Sequence, residues 1–372
     1  MNPAFDDIRP YTDPEIRPTL DRLLADRELI NTIGQYRFPK LYSKLSFILA
    51  PLTRFYLARQ YAHINSVEPL QDQIKVFIDR VIANSITKLS SSGLEQLKNG
   101  ENYLFVSNHR DIVMDPALVN YALHDANVPT CHIAIGDNLL SKPFVSDLMR
   151  INKSFIVKRA AKGPRELYKN LKILSQYISH TVGTEHTNIW IAQREGRAKD
   201  GNDLTEPAII KMFAMAKPKQ ESLSEYIHKL KIVPVAISYE WDPCDQAKAR
   251  ELAIKEKEGE YIKQANEDNQ SIALGISGFK GKVHVGFGSP LSAHYENADA
   301  VANAINEQVD QLYKIQAPNR VAAALLEPKQ FKIADKDLTA KKLLEERLLN
   351  ASVREREILI KMYAYPLLKQ KA

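Results

Sequence analysis

The strongest constraint on the fold is an alternation of short apolar runs with longer amphipathic stretches between about residues 93 and 297. The short runs have the length and composition of buried strands. The longer stretches repeat apolar residues at the spacing of a helix. Strands that alternate with helices predict an α/β domain with a largely parallel or mixed sheet. The predicted strands are 103–107, 130–135, 154–157, 188–192, 232–238 and 282–287, and the predicted helices between them include 165–180, 206–216 and 243–266.

Helical patterns flank this alternation on both sides. From about residue 15 to 89, apolar residues recur at helical spacing in three segments, which include KLYSKLSFILAPLTRFYLARQY. After about residue 298 the pattern is helical again, and it ends in a charged amphipathic segment, 335–368. The predicted organisation has three parts: a helical N-terminal region (1–90), an α/β domain (91–297) and a helical C-terminal region (298–372).

The formal net charge of +6 and the pI near 9.0 favour anionic partners. Phosphorylated substrates, acyl carriers and an anionic membrane surface are all compatible with this charge. Basic residues are not interleaved with aromatic residues as in a nucleic-acid groove, so we expect no nucleic-acid partner. The two cysteines, Cys131 and Cys244, lie far apart and lack metal-ligand spacing. They are predicted to be reduced, partly buried thiols, and no metal site is expected.

Three glycines, Gly275, Gly278 and Gly281, form a spaced triplet ahead of a predicted strand. A dinucleotide-binding loop has the opposite order, because it follows a strand and opens a helix. The triplet therefore predicts a flexible surface turn.

The most informative stretch is 103–120, YLFVSNHRDIVMDPALVN. A short strand leads into His109, and Asp115 followed by proline is a strong signal for the start of a helix. A carboxylate six positions after a histidine can return to the imidazole only when the residues between them are not helical. His109 and Asp115 are therefore a candidate acid–base pair. The alternatives are that His109 only satisfies the turn while Asp115 caps the helix, or that Asp111 is the partner of His109.

This stretch resembles the first motif of the glycerolipid acyltransferases, the superfamily of glycerol-3-phosphate and lysophosphatidate acyltransferases. Three further blocks follow in the order of that family: 154–159 (SFIVKR) is similar to its second motif, 195–197 (EGR) to its third and 233–237 (VPVAI) to its fourth. The resemblance spans about residues 93–241. In two places the sequence departs from the family pattern. Five residues rather than four separate His109 from Asp115, and Arg197 follows Gly196 directly.

The resemblance implies an acyltransferase-like mixed sheet flanked by helices, with helical additions at both ends of the chain. It implies that His109 is the general base and that Asp115 orients it, as a carboxylate does in a catalytic triad. Arginine and lysine bind phosphate well. The residues implied in substrate binding are Arg110, Lys158, Arg159, Glu195, Gly196 and Arg197. No cofactor is implied, since acyl-CoA or an acyl carrier protein is the co-substrate.

The implied reaction moves a fatty acyl group to the hydroxyl of a glycerol-phosphate-type acceptor, either lysophosphatidate or glycerol 3-phosphate, in phospholipid synthesis. Two alternatives come from other functional classes. One is a non-catalytic protein of the same fold that binds acyl chains or membranes. The other is a metal-dependent hydrolase using His109, Asp111 and Asp115, although the sequence lacks the paired histidines that such a site generally needs.

An enzyme whose product lies in a bilayer must reach the membrane, and segment 42–61 is the candidate for membrane attachment. This segment combines Phe47 and Phe55 with Lys44, Arg54 and Arg59, as interfacial helices do, but a soluble helix packed on a core has the same pattern. The sequence contains no run of about eighteen apolar residues, the length that a membrane-spanning helix needs. No secretory signal is visible at the acidic N-terminus. We expect a cytoplasmic protein, peripheral on the inner face of the cell membrane.

Overall fold

The computed structural model describes residues 2–140, 142–264 and 267–371. Its strands are β1 Ile86–Ser92, β2 Leu104–Ser107, β3 His132–Gly136, β4 Ser154–Val157, β5 Ile189–Ala192, β6 Ile232–Tyr239 and β7 Gly281–Phe287. Its first α-helices are α1 Asp13–Ala25, α2 Arg27–Arg37, α3 Tyr42–Gln60, α4 Val67–Ser85, α5 Met114–Asp125, α6 Pro143–Ile151, α7 Pro164–Gly183 and α8 Pro207–Phe213. The remaining ones are α9 Leu223–Leu230, α10 Asp245–Glu258, α11 Glu267–Ser277, α12 Ala298–Leu312, α13 Ala317–Leu326, α14 Leu338–Leu348 and α15 Val353–Lys371. All six predicted strands are confirmed, and β1 is an additional strand.

The chain forms two compact units. The first combines the residues up to Phe77 with His132–Ile173, and the second combines Ile78–Cys131 with the residues from Leu174 onward. The boundary near residue 77 lies inside α4. Each unit is discontinuous in sequence, so these units do not coincide with the three consecutive regions predicted above. That three-part division remains a prediction.

The second unit contains a mixed sheet. Its strand order is β1-β7-β6-β2-β5, in which β6 and β7 are antiparallel and the other neighbours are parallel. Every residue of β2 and of β6 is buried. Continuous apolar strands are typical of a sheet that is covered by helices on both faces. The predicted fold class, a mixed sheet flanked by helices, is confirmed.

Helices from the end of the chain complete the second unit. A cluster that includes Trp241, Ala249 and Leu359 joins α10 to α13 and α15. Residues 321–324 of α13 are a valine followed by three buried alanines, and such small side chains permit close helix packing. The predicted helical character of the C-terminal region is confirmed.

The first unit is mainly helical and also contains the parallel pair β3–β4. Its core is centred on α1, where Ile16 and Leu20 pack with Ile64 and Ile151. Helices α2 and α3 form a hairpin in which the Tyr42 ring occupies the space where any Cβ at Gly34 would lie. Most of α3 is exposed. No helix in the described part of the chain is both long and apolar enough to cross a bilayer.

Two local predictions are wrong. Gly275 lies in the helix α11 and is buried against Asp111, so closely that a Cβ there would collide with the Asp111 carboxylate. It is therefore not part of a flexible surface turn. The helix predicted over 243–266 ends at Glu258, because Gly259 adopts φ +85° and terminates it. Residues 265 and 266 of that prediction lie outside the described residues.

Candidate active site

His109 lies just beyond the carboxyl end of β2, the strand between β5 and β6. Asp115 is in the first turn of α5 and is fully buried. The residues between them form a turn, and this turn returns Asp115 to the histidine despite the five-residue separation. Groups at the carboxyl ends of parallel strands commonly form sites, because the strand-to-helix turns converge there.

The Asp115 carboxylate accepts four hydrogen bonds. Its Oδ2 lies 2.9 Å from His109 Nδ1 and accepts the backbone N–H groups of Arg110 (2.6 Å) and Asp111 (2.9 Å). Its Oδ1 accepts the Tyr239 hydroxyl at 2.7 Å. This set of donors matches an ionised carboxylate, so His109 Nδ1 carries the hydrogen of the shared bond.

This arrangement leaves the Nε2 atom of His109 as the acceptor. Among the described residues no group forms a hydrogen bond with Nε2, and the His109 side chain is 15% exposed. The ring packs edge-to-face with Trp190, with 5.7 Å between the ring centroids. The Trp190 indole is fixed in turn by a 3.0 Å bond to the Ser107 hydroxyl. The imidazole is therefore held on two sides while Nε2 can receive a proton.

The alternative partner, Asp111, makes different contacts. Its Oδ1 accepts the backbone N–H groups of Val113 (3.0 Å) and Met114 (2.8 Å), which lie at the start of α5. Burial, followed by the nearby charge of Asp115, raises the pKa of Asp111. Asp115 is therefore the residue that contacts His109, whereas Asp111 accepts backbone N–H groups at the start of α5.

Asn108 and Arg110, on either side of His109, are buried and form hydrogen bonds with other residues of the protein. The Asn108 side chain bonds the backbone N–H and C=O of Ile237, which fixes the end of β2 against β6. The Arg110 guanidinium pairs with Asp203 at 2.6 Å and lies over the Tyr313 ring. These contacts favour a structural role for Arg110 over the substrate contact predicted from the sequence.

The third motif lies in the turn after β5. The N–H of Ala198 donates a 2.8 Å bond to the carbonyl of His109, so this turn is fixed directly beside the candidate base. Gly196 adopts φ +73°, a conformation that favours glycine. Glu195 and Gly196 are exposed and Arg197 is half-buried. Within the described residues the Arg197 guanidinium has no hydrogen bond or ion pair, whereas Lys199 pairs with Glu251. Arg197 is therefore available to an anionic substrate.

Lys158 and Arg159, from the second motif, lie in the first unit at the end of β4. Lys158 pairs with Asp7 at 3.2 Å. The backbone N–H of Arg159 donates to Asp137 at 3.1 Å, and its side chain is exposed. Substrate binding by these two residues and by Glu195 and Gly196 remains a prediction.

The two cysteines are free and buried, as predicted. Burial raises the pKa of Cys244 to about 11, so its thiol is unreactive near neutral pH. No group of three histidine, cysteine or acidic side chains in 2–140, 142–264 and 267–371 is arranged to hold a metal ion.

Sequence reasoning missed Tyr239 as a member of this site. The available signal was a hydroxyl-bearing residue at the end of an otherwise apolar strand, directly after the fourth motif. Burial, followed by the charge of Asp115, raises the pKa of Tyr239 well above its usual value. The hydroxyl therefore stays protonated and donates to Asp115.

Comparison with known proteins finds a family match and similar solved structures. Residues 88–238 match the model of the Acyltransferase family. A similar solved structure is the 1-acyl-sn-glycerophosphate (LPA) acyltransferase PlsC from Thermotoga maritima, at 17% identity over 77% of this chain and 93% of that chain, with a TM-score of 0.37. Comparison with curated proteins gives no match. The matched residues contain all four motifs and the His109–Asp115 pair, so residues 88–238 form an acyltransferase domain, and this match supports the glycerolipid acyltransferase superfamily.

Proposed function

We propose that the protein transfers a fatty acyl group from acyl-CoA or an acyl carrier protein to lysophosphatidate or glycerol 3-phosphate. The observation that carries this proposal is the 2.9 Å contact between His109 Nδ1 and the buried Asp115 carboxylate, within an acyltransferase domain. A histidine oriented by a carboxylate is a suitable general base for a hydroxyl group near neutral pH.

In the proposed reaction the acceptor hydroxyl takes the place that serine has in a catalytic triad. Its oxygen attacks the thioester carbonyl while its proton passes to His109 Nε2. The carbon–sulfur bond then breaks, and the departing thiolate takes the proton back from the imidazolium. Asp115 stabilises the imidazolium formed between these steps. The reaction needs no nucleophile from the enzyme and leaves the histidine in its starting state.

The acceptor phosphate requires a cation near His109. Arg197 supports this part of the proposal, because it lies one residue from the Ala198 N–H that contacts the His109 carbonyl. Its guanidinium has no ion-pair partner among the described residues, so phosphate binding would displace no existing salt bridge. We propose Arg197 as the principal phosphate ligand, and substrate binding by Arg159 and Lys158 remains a prediction.

We also propose that α3 attaches the protein to a membrane surface. Six of its apolar side chains are exposed: Leu45, Phe47, Ile48, Leu52, Phe55 and Tyr56. Lys44, Arg54 and Arg59 are exposed on the same helix. The alternative, in which these apolar residues pack on a core, is not supported by this exposure. Apolar residues accompanied by cations favour binding to anionic bilayers.

The test is product formation by the purified protein with radiolabelled acyl-CoA or acyl carrier protein. The acceptor panel contains lysophosphatidate, glycerol 3-phosphate and lysophosphatidylcholine, with and without a metal chelator. We expect a labelled ester with a glycerol-phosphate acceptor and full activity in chelator. Absence of product with every acceptor would favour the non-catalytic alternative, and loss of activity in chelator would favour a metal-dependent enzyme.

A further inference from the structure

A buried lysine outside the matched residues 88–238 contacts the turn that carries His109. Lys248 lies on α10 and is 2% exposed. Its ammonium group donates a 2.6 Å hydrogen bond to the backbone carbonyl of Arg110 and forms an ion pair with Asp242. Burying a charged side chain is costly unless the charge is paired and hydrogen-bonded, and both conditions are met here.

Lys248 completes the bonding of the His109 turn. The carbonyl of His109 accepts the N–H of Ala198, and the N–H groups of Arg110 and Asp111 donate to Asp115. The Arg110 carbonyl is the fourth polar group of the two peptide units that join His109 to Asp111, and Lys248 is its donor. Without this donor, the turn would lose this hydrogen bond to α10.

Asp242, the acidic partner of Lys248, forms hydrogen bonds with two of the C-terminal helices. The N–H of Asp242 donates to the Tyr363 hydroxyl on α15 at 3.1 Å, and its carbonyl accepts Arg347 of α14 at 3.3 Å. Tyr363 and Arg347 both also bind the buried Asp245 at the start of α10. Burial alone would raise the pKa of Asp242, but the adjacent Lys248 ammonium holds it below the usual value. A continuous polar chain therefore runs from α14 and α15 to the His109 turn.

We propose that Lys248 is a positioning residue that holds the His109 turn through the Arg110 carbonyl. The C-terminal helices α14 and α15 then help to position the catalytic histidine, through Asp242 and Lys248. This inference rests on the proposed acyl transfer for its kinetic consequences. Displacing a catalytic base by about 1 Å can lower turnover by about 100-fold without changing the groups that bind substrate.

The test compares a Lys248 double variant and a control variant with the wild type. Lys248→Met alone leaves Asp242 as an unpaired buried charge, which threatens folding. The Lys248→Met/Asp242→Asn variant removes the ion pair without leaving that charge, and asparagine can still accept the N–H of Cys244. Arg320→Met/Asp337→Asn is the matched control, because it removes another C-terminal ion pair with a buried carboxylate in the same way, and this pair does not touch the His109 turn.

We expect the folded double variant to lose about 10- to 100-fold in kcat, with KM for both substrates within about twofold of wild type. The NMR signal of the His109 Nδ1–H proton, assigned by its absence in His109→Gln, should shift or broaden. The Arg320→Met/Asp337→Asn variant should change neither quantity. An unchanged signal in the double variant, or kcat within twofold of wild type, would overturn the proposal. The NMR measurement needs no turnover, so an inactive wild-type protein would refute the proposed function without deciding the role of Lys248.

Discussion

The Tyr239 hydroxyl donates a 2.7 Å hydrogen bond to Asp115, on the oxygen opposite the one that contacts His109. Tyr239 ends β6 and Asp115 lies in the first turn of α5, so this bond joins two elements that are remote in sequence. Both side chains are buried. The bond fixes the rotation of the carboxylate and, through it, the plane of the imidazole.

Replacing Tyr239 with phenylalanine should lower kcat by about 10-fold with little change in the acceptor KM. A hydrogen bond to a charged group is worth about 1.5–3 kcal/mol, and here its loss lets the carboxylate rotate. Steady-state kinetics with thermal melting will check this. Tyr11→Phe is the matched control, because the Tyr11 hydroxyl also donates to a carboxylate, that of Asp147, at 2.7 Å. Equal losses of kcat in the two variants would exclude a specific role for Tyr239.

Substituting Arg197 or Arg159 with alanine should raise the acceptor KM about 10- to 100-fold and the donor KM much less. The reason is the loss of a charge-assisted hydrogen bond to phosphate, worth about 1.5–3 kcal/mol. Arg250→Ala is the control, since Arg250 is exposed and pairs only loosely with Glu355 at 3.5 Å. A change confined to the donor KM would reassign these arginines to the phosphates of the acyl carrier.

Lys280 should make stability depend on pH. It is fully buried, with its ammonium on the Ser85 hydroxyl and on the carbonyls of Ile276 and Gly278, and burial lowers its pKa to about 8. In the unfolded chain the pKa returns to about 10.4, so between about pH 8 and 10.4 the unfolded state binds more protons. The free energy of unfolding of wild type should therefore rise through this window.

The measurement is urea unfolding of wild type and of Lys280→Met at several pH values. Relative to the variant, wild type should gain up to about 3 kcal/mol between pH 7.5 and pH 10.5, because other titrating groups contribute equally to both proteins. A difference that stays constant across this range would show that Lys280 titrates normally.

Membrane binding should depend on the exposed face of α3. The Phe47→Asp/Phe55→Asp variant should lose association with anionic vesicles in a flotation assay, and added salt should weaken wild-type binding. Leu349→Asp/Val353→Asp is the control, because it changes two apolar residues in the second unit that are similarly exposed. If the α3 variant floats as well as wild type, another part of the chain is the anchor.

Several of the predicted strands, such as β2 and β6, are fully buried runs of mainly apolar residues, and burial on both faces leaves a clear signal in the sequence. Strand β1 was missed because it pairs only with β7 and is rich in serine. Ser90 and Ser92 each lie 2.9 Å from a ring nitrogen of His284 on β7. Such a polar strand depends on its neighbour and has no apolar pattern of its own.

In the candidate site, only contacts between residues close in sequence could be anticipated. The helix-start signal at Asp115 predicted its return to His109. Tyr239 lies 124 residues from Asp115, and Asp203 lies 93 residues from Arg110, so spacing could not reveal either contact. The buried position of Gly275 against Asp111 was likewise set by tertiary packing, which overrode the local preference of glycine for turns.

The most direct test of the account is acyl transfer by His109→Ala, measured beside its thermal melting curve. We expect a loss of about 1,000-fold or more in kcat in a folded protein, because removing a general base costs about 100- to 10,000-fold and Asp115 then has no ring to orient. Turnover within 10-fold of wild type in a well-folded His109→Ala protein would contradict it.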